Sequence, residues 1–270
     1  MTKLNQLITP MYKPKYPVQT LEKAFEIVEI LSLQESDDGL GVSELSSRLN
    51  IGKSTIHRLL DTLVAYQYVE KLPDNKYRLS WKIFQLGSAV PRQRSVGNLD
   101  PKYLKELCEK FQETVNLGVK EGRDVVVVSK VEPETSYRLK ANFHVGEKEP
   151  FYATAMGKVL FSELREENLR QLLEDFQLEK LTEKTITSVD ELLNELRNVK
   201  KQGYAIDDEE YCKGLCCIAM PVKDFSGKTV AAISVSGPSF RLDFKKMMTI
   251  KEELERVTTE VSRHFGYGVK

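Results

Sequence analysis

The sequence predicts an α+β protein of two domains. Its 270 residues exceed one average domain but are too few for three. Apolar residues make up 41% of the chain and charged residues 30%, which is typical of globular domains with real hydrophobic cores. Helical periodicity dominates before residue 99, whereas short apolar strands alternate with helices after it. These observations predict a small helical domain followed by a larger domain built around a central sheet.

Composition changes along the chain suggest where the domains begin and end. Residues 1–16 are polar and contain prolines, so we expect a flexible arm. A compact domain is expected at 17–80, a linker helix and hinge at 81–98, and the larger domain at 99–270.

Bulk properties narrow the cellular setting but not the partner. Basic and acidic side chains number 40 each, so the overall charge neither indicates nor excludes nucleic acid. We expect a cytoplasmic protein without a membrane partner, because no apolar run reaches the ~18 residues of a span and residues 1–17 lack the apolar stretch of a signal peptide. Four cysteines, two of them adjacent, agree with a reducing compartment.

Three helices and a hairpin follow one another in the first 80 residues. Helices are predicted from residue 19 or 20, over 42–49 and over 53–66, with a tight turn at 50–52. The turn contains Asn50 and Gly52, which tolerate a left-handed backbone. A two-stranded hairpin is predicted from segments 69–72 and 76–79. This order is typical of a winged helix-turn-helix.

The third helix has one apolar face and one polar, basic face. Ile56, Leu59, Leu60 and Leu63 recur at helical spacing and should face the core. The opposite face and the hairpin carry the side chains that would contact bases and phosphates of DNA. These predicted DNA-binding residues are Lys53, Ser54, Thr55, His57, Arg58, Lys71, Lys76 and Arg78. Two alternatives stay open: an ordinary solvated helix face, or a module that binds only protein.

The larger domain combines helices with a central sheet. Helices are predicted over 101–113, from about 154, and over 166–175, 189–202 and 244–265. Strands are predicted over 116–120, 125–132, 136–144, 204–207, 215–222 and 229–237. The uninterrupted apolar run 125–128 predicts a strand buried on both faces.

Three segments of this domain suggest a ligand site. Strand alternation places Ser234 and Ser236 on one face of their strand, and Cys217 on a face of small residues in the preceding strand. Small residues also begin the helix after Thr154, where free N–H groups and the helix dipole favour an anion. Such a surface suits a carboxylate, although close packing of helix and sheet would explain the same residues.

An enzyme is the alternative from another class. Cys217 with His144 would supply a thiol and a base, or Cys212, Cys216 and Cys217 would hold a metal. Nothing in the sequence places His144 near Cys217, and the cysteine spacing is unlike common zinc patterns. We therefore expect no catalytic residues, metal or cofactor.

The motifs resemble those of the IclR family of transcriptional regulators. In the first half the resemblance lies in segments 21–24, 45–46, 53–60 and 77–79. In the second half it lies in segments 153–158, 203–210, 217–222 and 232–238, with Arg241. The resemblance covers nearly the whole chain, from about residue 17 to 265.

The resemblance implies a GAF-like effector-binding domain and a homodimer or homotetramer. It further implies a regulator, expected to be a repressor, of a catabolic operon for a carbon source. Its effector would be a small keto, sugar or aromatic acid, and its second ligand would be a double-stranded DNA operator. The pocket positions that the family implies are Ala155, Met156, Asp207, Leu215, Cys217, Ser234 and Ser236.

Overall fold

The computed structural model describes residues 14–34, 36–93, 99–134 and 144–268, with the side chains of 91 and 92 excepted. The chain divides into two compact units between Gln93 and Arg94. Helices and strands occur in both, so the predicted α+β class is confirmed. The finer boundaries at residues 16, 80 and 98 stay a prediction.

The first unit contains the predicted helices and hairpin. Its elements are α1 (Gln19–Ser32), α2 (Val42–Leu49), α3 (Lys53–Ala65), β1 (Val69–Lys71), β2 (Tyr77–Leu79) and α4 (Trp81–Gln93). The two strands pair antiparallel, and an isolated bridge joins Leu40 to Tyr77 beside them. The hairpin thereby lies next to the turn that precedes α2.

Apolar residues at helical spacing hold helices α1, α2 and α3 of this unit together. Ile27 and Ile30 of α1, Leu45 of α2, and Ile56 and Leu60 of α3 are all fully buried in one core. Burying such side chains contributes about 1.5–3 kcal/mol each, so the apolar stripe determines which face of α3 remains outside.

The turn between α2 and α3 follows the prediction only in part. Asn50 adopts the left-handed conformation, with φ 54°, and ends α2. Gly52 instead has φ −58° and precedes the first residue of α3. Glycine is therefore not required there for a left-handed backbone.

In its described residues, the second unit is a six-stranded antiparallel sheet with helices on both faces. Its helices are α5 (Lys102–Phe111), α6 (Ala155–Ser162), α7 (Glu166–Leu173), α8 (Val189–Gln202) and α9 (Phe244–His264). Its strands are β3 (Thr114–Glu121), β4 (Asp124–Val131), β5 (Lys148–Pro150), β6 (Ala205–Asp208), β7 (Leu215–Lys223) and β8 (Thr229–Pro238). The strand order is β5-β4-β3-β8-β7-β6, and every neighbouring pair is antiparallel.

Two separate cores pack on the two faces of this sheet. Helices α5 and α9 cover one face, where Ile218, Ile233 and Val235 are buried. Helices α6, α7 and α8 cover the other, with Cys217 and Ala219 among its small strand residues. Alternation along β7 and β8 thus separates large apolar side chains from small ones, as predicted.

Strands β4 and β5 depart from the predictions. Val125 and Val127 are fully buried, but Val126 and Val128 are only half-buried, so the expectation of full burial on both faces was wrong. The outer neighbour of β4 is only the three-residue strand β5, so β4 lies near the edge of the sheet. Strand β5 itself was not predicted. The predicted strand 136–144 falls almost wholly on residues 135–143, outside the described residues.

Candidate functional site

Helix α3 presents its polar face to solvent. Lys53, Ser54, His57 and Arg58 are exposed, whereas Thr55 is half-buried. The buried apolar residues on the opposite side hold the helix against the core and keep this face outward. An exposed helix with donors near its N-terminus can enter a major groove and contact base edges.

The cations at the start of α3 are available for an anionic partner. Among the described residues, neither Lys53 nor Arg58 has an acidic partner. No described side chain caps the helix start at Gly52, so its first N–H groups also face outward. The partial positive charge of the helix dipole adds to these cations and favours phosphate.

The three basic residues of the hairpin differ in their partners. Lys71 is exposed and has no acidic partner in the described part of the chain. Lys76 instead lies 3.3 Å from a carboxylate oxygen of Asp74. Arg78 is bound to both Glu70, at 2.5 Å, and Asp37, at 3.2 Å. Lys71 is therefore the freest of the three for a phosphate contact.

A cavity in the second unit lies between the sheet and the start of α6. Strand register brings Asp207 of β6, Cys217 of β7 and Ser236 of β8 into one row across the sheet. In the adjacent row, Ser234 of β8 pairs with Asn116 of β3. All five line the cavity, so its floor combines the consecutive strands β6, β7 and β8 with β3 from much earlier in the chain.

The start of α6 forms the opposite wall. Thr154 caps the helix, its Oγ1 accepting a hydrogen bond from the Gly157 N–H at 3.2 Å. Ala155 and Met156 follow and line the cavity, and their N–H groups have no acceptor within the helix. A Cβ at Gly157 would lie 2.2 Å from the Phe151 carbonyl oxygen, so glycine lets the helix start approach the preceding loop.

Three buried oxygens in the cavity lack hydrogen-bond partners. They are Oδ1 of Asn116, Oε1 of Glu149 and Oδ2 of Asp207, and none has a partner within the described ranges. Glu149 enters from β5, where it pairs with Val125. The Asn116 amide nitrogen donates to Ser236 Oγ at 3.2 Å and to Ser234 Oγ at 3.5 Å. Its oxygen is thereby left without a partner.

Both cavity carboxyls resist ionisation. Burial raises the pKa of Glu149 to about 8, and the neighbouring Asp207 carboxylate adds to the rise. Burial also raises the pKa of Asp207 to about 7, with a contribution from Glu210. Backbone N–H groups of Glu210 and Tyr211 donate to Asp207 Oδ1 and oppose that rise. Near neutral pH the cavity therefore holds a protonated carboxyl.

Met156 makes the cavity narrow. The cavity volume open to the centre of a water-sized sphere is only about 10 Å³, roughly the room for one water molecule. The Met156 side chain lies on Gly118, where a Cβ would come within 2.8 Å of its sulfur and 2.7 Å of Val125 Cγ1. Since methionine is flexible, a ligand can enlarge this space by moving it.

Six of the seven predicted pocket residues line one cavity: Ala155, Met156, Asp207, Cys217, Ser234 and Ser236. Leu215 does not; it packs in the core of the same face, opposite Pro238. Sequence reasoning missed Asn116 and Glu149 and did not count Thr154 as a site residue. The capping pattern at Thr154 was a usable signal, whereas the short segment around Glu149 offered none.

The cysteines do not converge on one site. Cys216 and Cys217 lie on opposite faces of the sheet, and Cys212 is exposed in the preceding loop. Burial raises the pKa of the Cys217 thiol well above its usual value, which suppresses the thiolate needed for nucleophilic attack. His144, the base considered in the sequence, is exposed. This geometry does not support the thiol or metal chemistry of the enzyme alternative.

In the described part of the chain, each helix is too short or too polar to cross a lipid bilayer. The exposed basic face of a winged helix-turn-helix, together with a buried polar cavity in a second unit, defines the class of DNA-binding transcriptional regulators. Comparison with known proteins agrees with this class and specifies the family.

Two family models together match most of the chain. Residues 20–73 match the IclR helix-turn-helix domain, and residues 92–263 match the bacterial transcriptional regulator IclR C-terminal domain. The chain belongs to the IclR family of transcriptional regulators, and it is a regulator rather than an enzyme.

Individual relatives support the same assignment. The transcriptional regulator XynR of Escherichia coli is 34% identical over 256 residues, covering 93% of this chain and 98% of XynR. The crystal structure of Thermotoga maritima IclR is 31% identical, has a TM-score of 0.75, and covers 93% of this chain and 100% of its own.

A third relative contains a ligand. It is a double mutant of the inducer binding domain of PobR from Acinetobacter, in complex with 3-hydroxybenzoic acid. It is 29% identical with a TM-score of 0.57, covering 60% of this chain and 94% of its own.

Proposed function

We propose that this protein is a cytoplasmic repressor of a catabolic operon for a carbon source, released from its operator by a small organic acid. The observation that carries the proposal is the coexistence, in one chain, of an exposed cationic helix face and a buried cavity with unpaired polar atoms. The first suits DNA, and the second suits a small polar ligand.

Helix α3 would enter the major groove of a duplex. Ser54, His57 and Arg58 would contact base edges, while Lys53 and Lys71 would contact phosphates. The N–H groups at the start of α3 support the phosphate contacts, because they point outward beside these cations. Thr55, Lys76 and Arg78 would contribute less, since the first is half-buried and the other two are ion-paired.

A homodimer or homotetramer would place two such helices on one operator. Trp81 and Phe84 of α4 support association, because they are 77% and 68% exposed and stack edge to face 6.1 Å apart. Exposed aromatic clusters of this kind are common at protein interfaces. A two-fold dimer would read half-sites about 34 Å apart on a palindromic operator.

The cavity would hold the carboxylate of a keto, sugar or aromatic acid. Support comes from the N–H groups of Ala155 and Met156 at the start of α6 and from the hydroxyls of Ser234 and Ser236. The double mutant of the similar PobR domain is in complex with 3-hydroxybenzoic acid, a small carboxylic acid. Helix α4 would link the cavity's unit to the DNA-binding unit, with a coupling free energy of about 1–3 kcal/mol.

A DNA-binding titration tests this function. Fluorescence anisotropy of the full chain on its own promoter fragment should show affinity that falls steeply with salt. A member of a panel of small acids should weaken that affinity by about 5- to 150-fold. A protein-binding module would show no salt-dependent DNA affinity, and a panel without any effect on the DNA complex would contradict control by an acid.

A further inference from the structure

Three oxygen atoms that line the cavity have no hydrogen-bond partner among the described residues. Asn116, Glu149 and Asp207 are each at least 98% buried, and each contributes one unpaired oxygen within the described residues. A buried polar atom without a partner costs about 1–3 kcal/mol, and native proteins rarely gather several. Three in one cavity are positions at which a bound polar ligand would supply hydrogen bonds.

The surroundings of these oxygens determine which atom faces the ligand. The amide nitrogen of Asn116 is engaged by the two strand serines, so the free atom is its oxygen, which can only accept. Oδ1 of Asp207 already accepts backbone N–H groups at 2.8 and 3.3 Å, which leaves Oδ2 for the ligand. A ligand that satisfies these oxygens must therefore supply hydrogen-bond donors.

Few small organic acids carry several donors. A keto oxygen can only accept a hydrogen bond. A protonated Glu149 could donate to the keto oxygen, but Asn116 Oδ1 would still have no donor. A hydroxyl group both donates and accepts. A hydroxyl group can therefore pair with Asn116 Oδ1, with an ionised carboxylate and with a protonated carboxyl. Burial raises the pKa values of Glu149 and Asp207 into the range where protonated and ionised carboxyls coexist.

We propose that the effector is a polyhydroxylated acid and that Glu149, with Asp207 and Asn116, receives its hydroxyl groups. Its carboxylate lies at the start of α6, on the opposite wall of the cavity. This inference rests on the proposed function and narrows its three classes of acid to one. It also assigns Glu149, on the short strand β5, as a residue that determines specificity.

Matched pairs of acids test the requirement for hydroxyl groups. Calorimetric titration of the full chain would compare glycerate with propionate, threonate with butyrate, and gluconate with hexanoate. Each pair has the same number of carbons and one carboxylate, so only the hydroxyl groups differ. In at least one pair, the hydroxylated acid should bind about tenfold or more tightly.

Each alternative result has a distinct meaning. Equal affinities in all three pairs would overturn the inference while leaving an acid effector in place. If none of the six acids bound but pyruvate or a hydroxybenzoate did, the inference would fall while an acid effector would stand. If no keto, sugar or aromatic acid bound, the acid effector of the proposed function would fall as well. Tighter binding of serine than of glycerate would also overturn the inference, because an ammonium group would then be the preferred donor.

Two variants of Glu149 separate hydrogen bonding from charge. Glu149→Met removes the acceptor at similar length, so the preferred hydroxylated acid should bind about tenfold or more weakly. Its unhydroxylated partner should be unaffected, and the melting temperature should not fall, because an unpaired buried polar group is gone. Glu149→Gln keeps an acceptor oxygen and should lose less than Glu149→Met. Glu167→Met, on the exposed face of α7, is the matched control.

An unchanged preference for hydroxylated acids in Glu149→Met would overturn the role of Glu149, whatever the melting temperature. Complete loss of binding in Glu149→Gln would overturn it as well, since an isosteric acceptor would then have failed to substitute.

Discussion

The helix face of α3 and the cavity beneath α6 use charged groups in opposite ways. Lys53 and Arg58 are exposed to solvent and have no acidic partner among the described residues. Their charged forms are therefore well hydrated and available to attract an anion. Glu149 and Asp207 are almost completely buried, and their pKa values rise because ionisation there is costly. The exposed cations of α3 are available to attract an anionic partner from a distance. The buried carboxyls of the cavity can interact only with a ligand group in direct contact.

The largest expected effect concerns the buried side of this contrast. The pKa of Glu149 rises from 4.5 to about 8 on folding, so between these pH values the folded chain keeps a proton that the unfolded chain loses. The stabilising contribution of the protonated carboxyl is fully present below pH 4.5 and is lost as the pH rises through about 8. Glu149→Gln should therefore flatten the fall of stability between pH 5.5 and 8.5, by an amount on the order of 1–4 kcal/mol.

Thermal unfolding at several pH values would measure this difference. Glu167→Gln, an exposed glutamate substitution, should follow the wild-type profile. If stability fell with pH in the same way in wild type and in Glu149→Gln, Glu149 would titrate like an exposed carboxyl. The contrast between the buried cavity and the exposed face of α3 would then be wrong.

A smaller effect is expected on the exposed side. Arg58→Ala should weaken DNA binding by about 1–3 kcal/mol if the guanidinium contacts a base, and it should leave the melting temperature nearly unchanged. Anisotropy titration at fixed salt measures the loss, and Lys201→Ala, exposed in the second unit, serves as control. Full DNA affinity in Arg58→Ala would remove α3 from the interface.

The smallest effect divides the hairpin residues by their partners. Lys71→Ala should lower DNA affinity by about 1 kcal/mol and reduce the salt slope by about one unit, as expected for one phosphate contact. Arg78→Ala should change DNA affinity less, because its guanidinium is already bound to Glu70 and Asp37. Salt titrations of the two variants side by side decide this, and equal slopes would show that the ion pairs of Arg78 open on DNA.

Predictions from sequence succeeded where the signal was local. The outward face of α3 follows from apolar residues three and four apart, and alternation in β8 puts Ser234 and Ser236 on one side. The start of a helix near Thr154 was also predicted, and the cap that Thr154 provides there is a local feature. Each pattern lies within about one turn of helix or a few residues of strand, so no knowledge of distant neighbours is needed.

The predictions failed where distant segments decide the outcome. Strand β5 is only three residues long and exists because β4 pairs with it, so neither the strand nor Glu149 was predicted. Asn116 resembles an ordinary strand residue until β8 is paired beside it. Leu215 has the same parity as Cys217, yet it lies beyond the cavity because β8 ends opposite it.

By itself, the sequence determined the α+β class, the family, the basic face of α3 and most of the small residues that line the cavity. Only the tertiary structure decided that Glu149 and Asn116 join them, that Met156 narrows the space over Gly118, and that Arg78 is already paired. The physical reason is that periodicity reports which way a side chain points along its own element. The burial, pKa and ion pairing of a side chain instead depend on which distant segments of the chain pack against it.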